Sequence, residues 1–257
     1  MNNENTVQLK SKGDCLMDIG SLLMSSGANT GRVRLTLERI SEMWGIESQL
    51  LITSRAILIT VSLPNTIDSV TIVKQNQPLS INFTTVSGIS RLTWKAIEKK
   101  WGVEDININL KRIKALPRYS RWLVLLFVSF AGMAFCRNMG GSMQDALVTF
   151  IATFAGLFVR QEAHHKGFNP YLIVVFAAIT ATFIAGVYTR VMHIDPKESV
   201  ALATSVLFLI PGVPLINSFS DLIDGNLLNG IIRSVNGLII AFSIALGLVC
   251  SWVILGF

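Results

Sequence analysis

The chain has 257 residues, 51% of them hydrophobic and only 15% charged, and its mean hydropathy of +0.54 excludes an ordinary soluble domain in favour of an integral membrane protein. The formal net charge is +6, and the whole excess lies early: residues 1–121 carry 16 Lys/Arg against 10 Asp/Glu, whereas residues 122–257 carry six of each. A basic segment that ends where apolar spans begin is an orientation signal, so no nucleic-acid partner is expected.

Three cysteines, Cys15, Cys136 and Cys250, are widely separated and odd in number. They suggest neither a disulfide framework nor a metal site, and no cofactor is expected. The opening MNNENTVQLKSKGD has no apolar signal-peptide core, which places the first domain in the cytoplasm. From Asp14 to about Trp44, apolar residues recur at helical spacing, at Leu16, Ile19, Leu22 and Leu23 and again at Val33, Leu35, Leu37, Ile40 and Met43. The SSGANTGR between them predicts a tight turn between two helices, with Thr30 capping the second. After Gly45, the β-branched stretch Leu50 to Leu63 reads as a strand, with Ser69 to Gln75 as its neighbour.

Residues 85–101 return to a helical pattern closed by Gly102, and Pro117 forms a joint. Residues 1–116 therefore read as a small cytoplasmic α+β domain. Ser25, Ser26 and Gly27 do not make a nucleophile site, because no histidine precedes His164 and no paired carboxylates accompany them. The chain is not read as an enzyme. Arg32, near the start of the second helix, is a secondary candidate for holding an anion; solvated helical charge is the simpler account.

Residues 117–257 read as a transmembrane domain of about five helices, at about 122–136, 146–159, 171–189, 200–219 and 237–257. The first two are short against the roughly 20 residues that a bilayer requires. Flanking Arg121, Arg137 and Arg160 extend their reach by snorkelling, with a re-entrant hairpin as the alternative. Five basic residues between Lys111 and Arg121, against Arg137 alone in the next loop, put the N-terminus inside and the C-terminus outside. Ala177, Ala181 and Ala185 form one small-residue stripe and Ala152 with Gly156 another, as close helix packing requires. The loop RNMGGSMQD joins Arg137 to Asp145 and reads as a charge-paired turn, with both residues as secondary candidates for substrate contact. His164 and His165 are adjacent, point apart on a helix and make no metal pair.

The stretch from Phe208 to Arg233, FLIPGVPLINSFSDLIDGNLLNGIIR, departs from an ordinary span. Pro211 and Pro214 flank Gly212, and two prolines beside a glycine break a helix. The carbonyls freed from Ile210 to Leu215 are tolerable in a bilayer only against protein or a wet cavity. Asn217, Asp221 and Asp224 follow at spacings that share one helix face, with Gly225, Gly230 and Arg233 beyond them. A solvated connecting helix is the bland account. A broken helix with paired carboxylates and a basic residue at a membrane boundary is also how transport sites are made.

These residues carry a family resemblance. PGVPLINSFSDLIDGNLLNGIIR resembles the signature of the bacterial threonine/serine exporter family (ThrE-like), in which a PGxPL-type core precedes a pattern falling here on Asp221, Gly225, Gly230 and Arg233. SLLMSSGANTGRV and GGSMQDALVTF are similar to two earlier segments of that family. With five spans rather than about twice as many, the chain resembles the larger subunit of the split, two-component form (YjjP-like). The resemblance implies a smaller membrane partner of four or five spans, and a cargo that is a hydroxy amino acid or a dicarboxylate such as succinate.

The expectation is thus a polytopic α-helical protein of the bacterial inner membrane, exporting small metabolites. Pro211, Gly212, Pro214, Asn217, Asp221, Asp224, Gly225, Gly230 and Arg233 would form its translocation site. A gradient would drive it, since GxxxxGK[ST] is missing from the sequence. The competing readings are a membrane-anchored hydrolase and a ligand-sensing or scaffolding protein built on the N-terminal domain.

Overall fold

Helical periodicity, β-branched runs and well-placed caps build the first part of the chain, in a computed structural model that describes residues 3–66, 68–117 and 119–257. Two compact units result: Met1–Pro117 with Val213–Ser234, and Arg118–Gly212 with Val235–Phe257.

In the first unit, α1 (Asn3–Ser25) and α2 (Thr30–Met43) are joined by a turn in which Gly27 takes φ +95°, a conformation that favours glycine. The cap of α2 is Asn29 rather than the expected Thr30. The Asn29 side chain accepts the Arg32 N–H at 2.9 Å, and Thr30 is the first helical residue. The stretch from Leu50 to Leu63 is not one strand but most of a hairpin, β1 (Glu47–Ile52) and β2 (Ala56–Ser62). The Thr53 hydroxyl closes its turn by donating to the Ala56 carbonyl at 2.7 Å. Strand β3 (Ser69–Gln75) pairs antiparallel with β2, giving the order β1-β2-β3.

Helix α3 (Phe83–Lys99) ends at Lys100, which is left-handed with φ +50°. Gly102 then caps a further helix, α4 (Val103–Lys114), in the stretch read from sequence only as a basic approach to the membrane. Glu104 and Asp105 in its first turn and Lys111, Arg112 and Lys114 in its last complement the helix dipole. The core gathers Leu16, Ile19 and Leu23 of α1, Leu37 and Ile40 of α2, Ile57, Ile59 and Val61 of β2, Ile89 of α3 and Ile106 of α4.

Asp18 of α1 pairs with Lys74 of β3 and, at 3.5 Å, with Lys114 of α4. Burial alone would raise the Asp18 carboxyl, but its bonds and charge interactions with the two lysines hold it below the ordinary value. A carboxylate depressed by folding stabilises the native state above its unfolded pKa, about 3.9, and loses that contribution as pH falls through the folded value. Asp18→Asn should therefore lower the unfolding midpoint at pH 7 by a small amount, and the gap to wild type should close below about pH 4. A gap that persists or widens in acid would contradict the pairing. Beside it, burial and the Asp18 charge push the Cys15 thiol up to about 12, which makes it an inert core residue.

The second unit contains α5 (Arg121–Asn138), α6 (Met143–His165), α7 (Pro170–Val191), the short α8 (Val200–Thr204), a 3-10 turn (Leu207–Leu209) and residues 235–255 of α10 (Leu227–Leu255). Among the described residues, helices α5, α6, α7 and α10 are long and apolar enough to cross a membrane, and the count is five if the broken pair Val200–Leu209 and Gly212–Ile223 makes one span. The two short apolar segments belong to helices of 18 and 23 residues, because polar ends extend them. In α6, Ser142 and Asp145 form a reciprocal capping box that starts the helix three residues before its apolar run.

The small residues pack as their spacing implies. Ala177, Ala181 and Ala185 of α7 are fully buried, and a Cβ on Gly156 of α6 would stand 2.9 Å from the Ala177 carbonyl oxygen.

Candidate functional site

The helix break closes sooner than the sequence implied. The α-helical path ends early, at Thr204, and continues through the 3-10 turn to an extended Ile210, but α9 (Gly212–Ile223) starts immediately after Pro211, so the break closes there instead of running to Leu215. The reason is the position of Pro214. It falls in the first turn of α9, where the missing N–H would have had no partner in any case. At the other end, Gly225 takes φ +78° and the Asn226 N–H donates to the Asp221 carbonyl at 2.7 Å, a glycine-based helix stop. Gly230 lets α9 and α10 approach, since a Cβ there would lie 2.6 Å from Leu222 Cγ. Across the same contact, the Ser218 hydroxyl donates to the Gly230 carbonyl at 2.8 Å.

The polar residues of this hairpin converge on the turn between α1 and α2, within the first unit. Asp221 is 0% exposed, and its Oδ1 accepts the Thr30 N–H at the start of α2 at 2.9 Å. Its Oδ2 lies 3.3 Å from Arg233 Nη1, yet neither atom has a hydrogen bond, so the pair is held by charge and not by an aligned bond. Arg233 Nη2 donates to the Ala28 carbonyl at 3.1 Å. Asn217 Nδ2 donates to the Gly27 carbonyl at 2.8 Å, and Asn229 Nδ2 to both Thr30 Oγ1 at 3.0 Å and the Ile52 carbonyl at 2.8 Å. Asn29 Nδ2 donates to Ser220 Oγ at 2.8 Å.

A buried carboxylate facing both a helix N-terminus and a guanidinium is electrostatically satisfied on both sides. Asn217, Asp221 and Arg233 are thus brought together on residues 27–30. Asp224 differs from its expected partner Asp221 in being exposed: it accepts from the Ser220 hydroxyl at 3.3 Å and lies against Gly31, where a Cβ would come within 3.0 Å of Oδ2.

The secondary candidates lie elsewhere. Arg32 is exposed and lines a cavity of about 220 Å³ with Asn29, Phe83 and Asn217. Arg137 donates to the Gly141 carbonyl at 2.6 Å, and Asp145 accepts the N–H of Ser142 at 2.8 Å. The charge-paired turn expected between them is absent among the described residues: Arg137 bonds the Gly141 carbonyl, and Asp145 bonds the N–H and hydroxyl of Ser142. Among the described residues, no three His, Cys, Asp or Glu side chains are grouped to hold a metal.

Sequence reasoning missed Asn29, Ser220 and Asn229. Asn229 precedes Arg233 by one helical turn and was open to discovery on that spacing. Asn29 and Ser220 carried no such signal, since their partners are nearly two hundred residues away.

Over residues 14–255 the chain matches the model of the family described as "Putative threonine/serine exporter" (ThrE). It is 28% identical to the "Probable succinate transporter subunit YjjP" of Klebsiella aerogenes, covering 91% of this chain and 90% of that one. The protein of the same name from Escherichia coli K12 is 27% identical over 92% of each chain. The "Probable threonine/serine exporter" of Mycobacterium tuberculosis is 20% identical over 93% of this chain but only 45% of its own length. No solved structure matches.

Proposed function

The chain belongs to the threonine/serine exporter family, and from that premise we propose that it is one subunit of a bacterial inner-membrane exporter of small carboxylate-bearing metabolites. The observation that carries this reading is the interruption of an apolar helix at Ile210 and Pro211, leading directly into a hairpin with a buried Asp221–Arg233 pair. Names among the relatives divide between succinate and threonine/serine, and a carboxylate is the group these cargoes share. A second, smaller membrane subunit of four or five spans would complete the transporter. This is supported by the subunit names of two relatives and by the greater length of the mycobacterial one.

In this reading the N-terminus is cytoplasmic, the C-terminus lies outside, and an ion gradient supplies the energy. Pro211 makes the break at which the path opens, and Gly212 and Pro214 start the helix that follows it. Asn217, Asp221, Asp224, Gly225, Gly230 and Arg233 form and hold the hairpin that follows it in the chain. Asp221 and Arg233 then act as a charge pair whose separation would accompany each cycle.

The test is efflux from vesicles holding the chain together with its smaller partner, preloaded with serine, threonine or succinate and free of nucleotide. Efflux of at least one cargo above empty vesicles is expected, collapsing when an ionophore dissipates the gradient. Absence of efflux for all three cargoes would end the exporter reading, and efflux indifferent to the ionophore would end gradient coupling.

A further inference from the structure

We propose that Arg160 binds the carboxylate of the exported solute, an assignment that rests on the exporter reading. Arg160 follows the apolar run of α6, where the default role for an arginine is to anchor the helix at the membrane surface. Its surroundings differ from those of the other basic residues there. Arg121 is neutralised by Glu162 at 2.6 Å and bonded to Gln161 at 2.9 Å, and the exposed Arg137 bonds the Gly141 carbonyl. Arg160 is half-buried, and among the described residues no carboxylate lies within 4.0 Å of it. Among the described residues its side chain makes one hydrogen bond, a long one of 3.4 Å from Nη1 to the Phe208 carbonyl, which leaves most of its five donors free.

Phe208 stands two residues before the break at Ile210 and Pro211. Its ring also covers Gly156, one turn earlier on α6, where a Cβ would stand 2.9 Å from Phe208 Cζ. The guanidinium is therefore drawn along a protein-facing side of α6 toward the broken helix, not outward as an anchor would be.

That side of α6 carries two buried hydroxyls before Arg160. Thr149, Thr153, Gly156 and Arg160 follow at intervals of four, three and four, which is one helical stripe. Thr149 shares a hydrogen bond of 3.0 Å with Thr204 of α8. Thr153 is 1% exposed, and its hydroxyl has no partner among the described residues. A guanidinium without a counter-ion is costly in an apolar bundle, and that cost falls if an oxygen-rich anion reaches it. Arginine suits this task because its planar fork takes both oxygens of a carboxylate at once.

The experiment uses the chain with its smaller partner in vesicles and compares wild type with Arg160→Gln and Arg160→Lys at equal membrane levels. Two readouts are taken: the half-saturating concentration for efflux of succinate, serine and threonine, and the thermal stabilisation that each solute confers on the purified complex. Arg160→Gln should raise half-saturation by about ten- to a hundredfold, the range for losing a hydrogen-bonded charge. It should also abolish solute stabilisation, while Arg160→Lys retains part of both because it keeps the charge without the fork.

Wild-type half-saturation in Arg160→Gln overturns the proposal. Should that variant fail to reach the membrane, wild-type half-saturation in Arg160→Lys does the same. Solute stabilisation that depends on Arg160 in a complex showing no efflux would support the site and reject the exporter reading. Efflux by wild type with both variants unchanged would do the reverse.

Discussion

Asp221→Ala is expected to destabilise the protein by about 3–5 kcal/mol, the scale of breaking a buried ion pair from one side. The carboxylate is 0% exposed, and its removal strips the Thr30 N–H of its acceptor and leaves Arg233 enclosed without a counter-charge. Asp221→Asn should lie between Ala and wild type, since an amide oxygen still accepts from Thr30 while the charge is lost. The paired replacement Asp221→Leu with Arg233→Met should cost less than Asp221→Ala alone, because no orphaned charge remains. Asp224→Ala, at an exposed position, should stay within about 0.5 kcal/mol of wild type. Thermal unfolding in detergent separates these cases. An Asp221→Ala protein as stable as wild type would show that the turn at Gly27–Thr30 and the α9–α10 hairpin are held by other contacts.

Gly247→Ala should lower the yield of folded protein, by an overpacking cost of about 1–3 kcal/mol or more. In α10 a Cβ at this position would stand 2.5 Å from Ala178 Cβ, 2.9 Å from the Val175 carbonyl oxygen and 3.1 Å from the Ile179 nitrogen. Two of these are backbone atoms of α7, so relief requires the helices to part, and the Thr182–Ser251 hydrogen bond of 2.6 Å would be strained with them. Gly212→Ala provides the control: among the described residues, no atom beyond its chain neighbours and its own helix backbone lies within 4 Å of its Cβ position, and its folded yield should not fall. Equal yields for the two variants, measured by size-exclusion profile and unfolding temperature, would rule out the tight α7–α10 approach.

Local physics made much of the fold readable in advance. Helical spacing marked α1 from Asp14 onward, though the helix starts at Asn3, and it marked α2 and α3; the β-branched run Ser69 to Gln75 is β3, and the alanines of α7 announced a close helix contact. Where reading failed, a local signal was overridden by a neighbour in the chain. Thr53 folds its stretch into a hairpin, Gly102 starts a helix as well as following one, and Pro214 continues the helix it seemed to interrupt.

By itself, then, the sequence determined a membrane protein with a basic N-terminal domain and a proline break rich in polar residues, because hydropathy, charge and backbone geometry are properties of each segment alone. Only the tertiary structure decided that residues 213–234 belong to the same compact unit as the first 117, that Asp221 is enclosed while Asp224 is not, and that Arg160 has no counter-ion among the described residues. Burial and pairing depend on partners far away in the chain, such as Thr30 for Asp221 and Phe208 for Arg160, and no local pattern encodes them.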